Sequence, residues 1–318
     1  MENDDSQVAL SNAVIVGLKP LVMIGVPAFN EEKSISRVVL VAKKHADCVV
    51  VCDDGSTDLT AEIAEHLGAD VIRHEQNLGY GAAIKSLLRH ARKLKADVLV
   101  TLDGDGQHDP REVPTLLKPI LDGSADVVIG SRFVDKSLAW IMPWYRRAGV
   151  KFITKLSNNG STAGGVKDAQ SGFRAYSRKA LDALNVSENG MGVSAEILFS
   201  SRREGLKVCE VPASCSYGGE VKTSTHNPVR HGVDVVASIV RLMVEEKPLV
   251  LLGLPGLGCL AVGALFGIWM LQIYTLEHQI MTNVALAAIG FEMIGFFCLS
   301  TAIMLYAISR LARRLKSG

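Results

Sequence analysis

Five short runs of apolar residues, each ending in polar side chains, alternate with amphipathic segments along the first half of the chain. The runs lie near residues 21, 48, 70, 97 and 126. Continuous apolar strands separated by helices are typical of a mostly parallel sheet covered on both faces. Because right-handed crossovers bring the carboxyl ends of such strands to one edge, the polar side chains should meet there. The pattern predicts an α/β fold with a ligand site at that edge.

The polar clusters that follow the five runs contain acidic, amide and basic side chains. They are Asn30-Glu31, Asp53-Asp54, Asn77, Asp103 to Asp105 and Ser131-Arg132. No GxGxxG element follows the first run. The sequence therefore argues against a Rossmann domain that binds a nicotinamide cofactor.

The fourth run ends in two aspartates at positions i and i+2, Asp103 and Asp105, with Gln107 close behind. Oxygen ligands of this kind suit Mg²⁺ or Mn²⁺, and Mg²⁺ is usually held by one or two carboxylates plus substrate phosphates. The stretch predicts a metal-dependent enzyme that acts on a phosphorylated substrate. The alternative is a solvated, glycine-rich turn after a strand.

Composition narrows the class of protein and its setting. The formal net charge of +1 gives no global field that would attract nucleic acid. The six cysteines form no CxxC pair, and they fit free thiols in a reducing, cytosolic domain. The acidic start, Met1 to Asp5, lacks the basic residues of a secretory signal, so we expect none.

Two segments near the carboxyl terminus, Leu249 to Tyr274 and Asn283 to Ile308, are apolar apart from Glu292. Each exceeds the ~20 residues that cross a hydrocarbon core, although a buried pair of core helices is the alternative. Glu292 is either a functional group or a protonated one packed on the first segment.

The distribution of charge around these segments predicts their orientation. The connecting loop, Thr275 to Gln279, has no Lys or Arg, whereas the tail after Ile308 is basic. By the positive-inside rule, both the part before Leu249 and the carboxyl terminus should face the cytoplasm.

Five short elements occur in order along the chain. They are Pro27-Ala-Phe-Asn-Glu31, Asp53-Asp54-Gly-Ser56, Asp103-Gly-Asp105, Gly130-Ser-Arg132 and Ser171-Gly-Phe-Arg174. Over about residues 20–245, this ordered set resembles glycosyltransferase family 2 with the GT-A fold. The most similar branch is that of dolichyl-phosphate mannose synthase, whose members glycosylate a polyprenyl phosphate.

The resemblance implies a GT-A nucleotide-diphospho-sugar transferase fold followed by two transmembrane helices. The expected organisation is an extension at 1–19, a catalytic domain at 20–245, a two-helix membrane region at 249–308 and a basic cytoplasmic tail at 309–318. The expected location is the cell membrane, with the catalytic domain cytoplasmic.

The resemblance also assigns roles to residues. The positions that match donor binding are Pro27, Ala28, Asn30, Glu31, Asp53, Asp54, Asp103 and Lys222. Those that match the metal site are Asp103, Asp105 and Gln107, where Mg²⁺ or Mn²⁺ would neutralise the leaving nucleoside diphosphate. Helix capping is the alternative role for Asp53 and Asp54.

The acceptor in this branch is a lipid phosphate, which is already charged at neutral pH and needs positioning more than a strong base. Guanidinium groups suit that task, and the candidates are Arg132, Arg146 and Arg174. Arg146 or Arg147, near Trp140 and Trp144, would lie at the bilayer or form an ordinary surface pair. Asp168 matches an acidic position that could contact sugar hydroxyls, and Glu196 is a further candidate.

The loop after the segment Val208 to Tyr217 departs from the family pattern. Many dolichyl-phosphate mannose synthases carry an arginine and a Gly-x-Ser-Lys element there, whereas this chain offers Lys222 without a matching arginine. The donor therefore stays open between a UDP-sugar and a GDP-sugar, with UDP-glucose or UDP-N-acetylglucosamine at least as plausible as GDP-mannose.

The predicted activity is inverting transfer of a hexose from a nucleotide sugar to dolichyl or polyprenyl phosphate, giving a lipid phosphosugar for glycan assembly. One alternative is extension of a lipid-linked glycan at a sugar hydroxyl, with Asp168 or Glu196 as the general base. Others are a sugar nucleotidyltransferase, which would want a glycine-rich basic loop after the first strand, and a non-catalytic membrane module.

Overall fold

The computed structural model describes residues 19–134, 154, 165–215, 237, 244, 248–278 and 280–316. The described residues fall into two compact units that divide between Val235 and Val236.

A seven-stranded sheet forms the centre of the first unit. Its strands are β1 (Val22–Ala28), β2 (Cys48–Asp53), β3 (Asp70–Arg73), β4 (Val98–Thr101), β5 (Val127–Ser131), β6 (Arg174–Ser177) and β7 (Val208–Pro212). They lie in the order β3-β2-β1-β4-β6-β5-β7, and only β6 runs antiparallel to its neighbours. The mostly parallel α/β sheet predicted from the five apolar runs is confirmed.

Helices cover both faces of this sheet. They are α1 (Ile35–Ala42), α2 (Thr60–His66), α3 (Tyr80–Lys93), α4 (Val113–Leu121, after a 3₁₀ turn at Pro110–Glu112), α5 (Arg178–Ala183) and α6 (Val193–Arg203). Side chains of β1 alternate between two cores, because successive residues of a strand point to opposite faces. Ile24 packs with α1 and α4, whereas Met23 packs with α3 and α6.

The antiparallel strand β6 is the element that sequence patterning missed. It has only four residues, it begins with Arg174 and ends with Ser177, and it therefore lacks an apolar run. Its two central residues still alternate, since Ala175 belongs to one core and Tyr176 to the other. The segment Val208 to Tyr217 alternates in sequence like a strand, whereas β7 ends at Pro212 in the structure.

The second unit contains two long helices, α7 (Leu254–Glu277, after a π-helical turn at Leu249–Gly253) and α8 (Thr282–Lys316). Both are long and apolar enough to cross a membrane. They pack closely at glycines, since a Cβ on Gly295 would lie 2.7 Å from the carbonyl oxygen of Gly256. A Cβ on Gly263 would lie 2.7 Å from Cγ of Glu292, so the Glu292 side chain packs on α7.

The central position of β4 makes Leu99 a sensitive test of the sheet. Leu99 has no exposed surface and lies in the core under α3. We expect Leu99→Ala to lower the free energy of unfolding by about 2–5 kcal/mol, because it leaves a cavity. Leu40 on α1 is 51% exposed, and Leu40→Ala should change the free energy of unfolding by no more than about 0.5 kcal/mol. Denaturant unfolding of the detergent-solubilised chain measures both, and equal losses would contradict the assigned core.

Candidate active site

The loop that follows β4 carries Asp103 and Asp105, and backbone hydrogen bonds hold it against β1. The amide of Leu102 donates to the carbonyl of Gly25 at 3.0 Å, and that of Gly104 donates to Pro27 at 3.2 Å. A Cβ on Gly104 would lie 3.1 Å from the Pro27 carbonyl oxygen, so this position suits glycine. The loop thus lies directly against the end of β1, where the donor residues Pro27 and Ala28 were predicted.

Asp103 is enclosed between a tyrosine hydroxyl and a glycine. The Oη of Tyr80 donates to Oδ1 of Asp103 at 3.1 Å. A Cβ on Gly172 would lie 2.6 Å from each carboxylate oxygen of Asp103, so only glycine fits beside it. Burial raises the pKa of Asp103, although the positive charges of Arg132 and Arg174 oppose that effect.

Asp105 and Glu31 complete a group of three neighbouring carboxylates. Burial, followed by the charge of Asp103, raises the pKa of Asp105 to about 6. Burial also raises the pKa of Glu31 to about 7, with Asp105 and Asp103 among the negative charges that add to the effect. Because partly buried carboxylates repel one another, the group is short of positive charge.

These residues fit a divalent metal ion by the chemistry of their donor atoms. Carboxylate oxygens are the ligands that Mg²⁺ and Mn²⁺ prefer. Within the described ranges, no three His, Cys, Asp or Glu side chains form a complete cage by themselves. Asp103 and Asp105 would hold the ion, and it would supply positive charge to a leaving diphosphate.

Gln107, the third predicted metal ligand, has a protein partner in this structure. Its Oε1 accepts a hydrogen bond from Sγ of Cys215 at 3.6 Å. Its backbone amide donates to Oδ1 of Asp105 at 2.9 Å, which ties it to the metal loop. The role of Gln107 as a metal ligand stays a prediction.

The two predicted donor loops, after β1 and after β2, are fastened to each other. Asn30 adopts a left-handed φ of 57°, and its Oδ1 accepts from the amide of Thr57 at 2.8 Å. Its own amide donates to Oγ of Ser56 at 2.9 Å. Asp53 accepts a hydrogen bond from the amide of Ser56 at Oδ1, and no described residue donates to its Oδ2. Asp53 therefore keeps one carboxylate oxygen for a ligand.

Asp54 differs from Asp53 because its carboxylate is fully used within the protein. It accepts from the amides of Leu78 and Gly79 at 3.0 and 2.8 Å, just before α3 begins. It also pairs with Nδ1 of His74 at 2.7 Å. The side chain thus anchors the start of α3. This role resembles helix capping, but it acts on α3 rather than on α2, the helix that follows the Asp53-Asp54 loop.

Arg132, which directly follows β5, forms a buried ion pair with Asp168, which lies in the loop before β6. Nε and Nη2 of Arg132 each lie 2.7 Å from a different oxygen of Asp168, which has no exposed surface. The amide of Asp168 donates to Glu210 at 2.8 Å. The structure therefore brings the two predicted residues together and lets the positive charge of Arg132 act on Asp103.

Arg174 is placed differently from the expectation that it contacts an acceptor phosphate. It is 1% exposed, and its guanidinium donates to the carbonyl oxygens of Ser171, Ser194 and Ala169 at 2.7–3.0 Å. Because these donors bind backbone carbonyls, we assign Arg174 the role of supporting the loop that contains Gly172. Arg146, Arg147, Trp140, Trp144 and Lys222 lie outside the described residues.

Tyr80 and His108 are site residues that sequence reasoning missed. Nδ1 of His108 donates to the carbonyl of Ser214 at 3.1 Å, and burial, followed by the charge of Arg132, lowers the pKa of this imidazole. The position of His108 directly after Gln107 was a sequence signal that could have identified it as a site residue. Tyr80 gave none, because its contact with Asp103 depends on how α3 packs beside β4.

Comparison with known proteins gives a consistent family. Residues 23–184 match the profile of glycosyl transferase family 2. A UDP-N-acetylglucosamine–dolichyl-phosphate N-acetylglucosaminyltransferase of Methanococcus voltae is 34% identical over 62% of this chain and 86% of its own length. A dolichyl-phosphate hexose transferase of Haloferax volcanii is 35% identical over 69% of this chain and 92% of its own.

A solved structure supports the same family assignment. Glucosyl-3-phosphoglycerate synthase from Mycobacterium tuberculosis, in complex with Mn²⁺ and UDP-glucose, has a TM-score of 0.53 and 25% identity, covering 70% of this chain and 78% of the other. The chain belongs to glycosyltransferase family 2, has the GT-A fold and is a glycosyltransferase.

Gly172 offers a direct test of the enclosure around Asp103. We expect Gly172→Ala to displace the carboxylate and lower transfer activity by about 10²-fold or more, because a misplacement of about 1 Å has that effect in active sites. Steady-state rates with a nucleotide sugar measure it. Gly258→Ala is the matched control, since a Cβ there meets nothing within 4 Å. Full activity in Gly172→Ala would contradict this geometry.

The raised pKa of Asp105 makes a prediction about stability. Its folded-state pKa of about 6 lies above the ordinary value of 3.8, so its ionisation destabilises the fold as pH rises through this range. In EDTA, Asp105→Asn should therefore raise the melting temperature at pH 7.5, and the gain should vanish near pH 4.

The control for this experiment is Asp109→Asn, which should have the opposite sign. Arg111 lowers the pKa of Asp109, so the Asp109 charge stabilises the fold above pH 4. Thermal melting followed by circular dichroism compares both variants with the wild type. A lower melting temperature for Asp105→Asn at pH 7.5 would show that the carboxylate is not electrostatically costly.

Proposed function

We propose that this family 2 glycosyltransferase moves a hexose from a nucleoside diphosphate sugar to polyprenyl phosphate of the dolichyl type, with inversion at the anomeric carbon. The observation that carries the proposal is the group of carboxylates at the sheet edge, Glu31, Asp103 and Asp105, whose pKa values are raised by burial. Such a group suits a divalent cation, and a cation there would screen a sugar-bearing diphosphate.

The donor side of the proposal rests on Asp53. Its Oδ2, to which no residue in the described part of the chain donates, is suited to accept the imide N–H that uracil and guanine share. Two of the similar proteins are described with uridine nucleotides, the Methanococcus voltae transferase and the Mycobacterium tuberculosis synthase. A UDP-hexose, N-acetylglucosamine or glucose, is therefore the first donor to test, and GDP-mannose is the second.

The acceptor side rests on the state of the carboxylates that were candidates for a general base. Asp168 is held by Arg132, and Glu196 accepts hydrogen bonds from the amides of Ser187 and Glu188. Both carboxylates are buried and satisfied, so neither is ready to remove a proton from a sugar hydroxyl. A phosphate acceptor needs no such base, which favours a lipid phosphate over extension of a lipid-linked glycan.

The proposed reaction is a single displacement. A phosphate oxygen of the lipid forms a bond to the anomeric carbon, while the bond between that carbon and the nucleoside diphosphate breaks. Arg132 would add positive charge beside the reacting phosphates, and Arg146 and Lys222 stay as proposed contacts for the acceptor and the diphosphate. The helices α7 and α8 would hold the catalytic unit at a cytoplasmic membrane surface, where the lipid phosphate lies.

Transfer of radiolabelled sugar to a short polyprenyl phosphate tests the proposal directly. Purified chain with Mn²⁺ should convert UDP-N-acetylglucosamine or UDP-glucose to a labelled lipid, and Asp103→Asn should lower the rate by at least 10²-fold because its cation ligand is lost. Asp109→Asn, whose carboxylate pairs with Arg111, should keep the wild-type rate. The product should release its sugar under mild acid as a monosaccharide.

Repeating this assay with different sugar donors and different acceptors distinguishes the alternative transferase activities. Labelled lipid formed only from GDP-mannose would overturn the uridine assignment and keep the reaction. Labelled products formed only when a lipid-linked glycan is supplied would indicate transfer to a sugar hydroxyl. No labelled lipid from any of these donors would contradict the proposed function.

A further inference from the structure

We propose that Tyr80 is a positioning residue that orients Asp103 for the metal ion, and that the start of α3 joins the nucleoside end of the donor site to its metal end. This inference rests on the proposed metal-dependent function. Tyr80, His74 and Ser86, on which it depends, lie outside the five sequence elements of the family resemblance.

The first step is the contact itself. The hydroxyl of Tyr80 donates to Oδ1 of Asp103 at 3.1 Å, and no described residue donates to Oδ2. On the remaining side, a Cβ on Gly172 would lie 2.5 Å from the Tyr80 hydroxyl and 2.6 Å from both carboxylate oxygens. The carboxylate is thus confined between a hydroxyl and a backbone, with one oxygen occupied and the other left for a cation.

The second step is the anchorage of Tyr80. It is the first residue of α3, and the two amides immediately before it, those of Leu78 and Gly79, donate to the carboxylate of Asp54. Gly79 has a φ of 99°, and a Cβ there would lie 2.6 Å from the carbonyl oxygen of Asn189. The start of the helix therefore has little freedom to move.

The third step is the support of Asp54 by a buried histidine. Nδ1 of His74 lies 2.7 Å from Oδ1 of Asp54, and Nε2 lies 2.9 Å from Oγ of Ser86 on α3. Asp54 follows Asp53 directly, and Asp53 is the proposed contact for the nucleoside base. Hydrogen bonds therefore tie the loop after β2 to the start of α3, and the side chain of Tyr80, the first residue of that helix, reaches Asp103.

The environment of the hydroxyl keeps it a hydrogen-bond donor. A carboxylate oxygen accepts hydrogen bonds, so the phenol hydroxyl of Tyr80 is the donor in this contact. Groups that hold a metal ligand in this way typically contribute 10–100-fold to metal affinity or activity.

Mn²⁺ binding to the full chain in detergent tests the inference without depending on turnover. Free Mn²⁺ is followed by electron paramagnetic resonance, with Mn²⁺ alone and with Mn²⁺ plus UDP. Tyr80→Phe keeps the ring and removes the hydroxyl, and we expect it to raise the Kd for Mn²⁺ about tenfold. Transfer activity of Tyr80→Phe should recover at saturating Mn²⁺, because the loss lies in metal affinity.

A second measurement tests whether Tyr80 acts through Asp103. In an Asp103→Asn background, adding Tyr80→Phe should cause no further loss of Mn²⁺ affinity, since the two residues form one unit. Tyr306→Phe, on α8, is the control for loss of a tyrosine hydroxyl and should bind Mn²⁺ as the wild type does. Mn²⁺ should also perturb the near-ultraviolet absorbance of the wild type and not that of Tyr80→Phe.

The outcomes separate this inference from the proposed function. If Tyr80→Phe binds Mn²⁺ as the wild type does while Asp103→Asn does not, the positioning role is overturned and the transferase proposal stands. An equal loss from Tyr80→Phe in both backgrounds also overturns it. If the wild type binds no Mn²⁺ with or without UDP, and transfers sugar in EDTA, both the metal assignment and this inference fail.

Discussion

Repulsion among Glu31, Asp103 and Asp105 is the constraint on which the rest of the catalytic unit depends. Three ionised carboxylates that lose part of their hydration next to one another raise the free energy of the folded state unless a cation or a proton joins them. The fold therefore has to hold them in place against that repulsion. It does so with backbone contacts to Gly25 and Pro27 on one side and with Gly172 on the other.

The positive charges near this group serve two separate purposes. Arg174 is buried under the loop of Gly172 and donates hydrogen bonds to backbone carbonyl oxygens, so it maintains the shape of the loop. Arg132 forms an ion pair with Asp168 and still lowers the pKa of Asp103 from a distance. Neither replaces a cation at the carboxylates, since the pKa of Asp105 stays near 6. The two arginines therefore leave the carboxylates incompletely neutralised, which is consistent with the proposed metal site.

The sequence was informative wherever a residue's role follows from its own strand. The apolar runs predicted β1 to β5, and the polar residues at their ends predicted that Asp53, Asp103 and Arg132 would lie along one edge. Strand β6 was missed because four residues with polar ends carry no periodic pattern. The roles of Asp54, Tyr80 and Arg174 were not predictable for a related reason. Each depends on packing between segments that are distant in sequence, such as α3 against the loop of Gly172.

The reversed direction of β6 has a consequence for how such a catalytic unit can diversify. The chain leaves the sheet after β5 and returns at β6, and the amide of Gly130 donates to the carbonyl of Phe173 at 2.8 Å. The intervening stretch, residues 132–172, therefore departs from and rejoins the sheet at adjacent points beside Asp103. Insertions or replacements between those points leave the pairing of every strand unchanged. A change in the length of this stretch would therefore leave the strand ends that carry Asp53 and Asp103 unaltered.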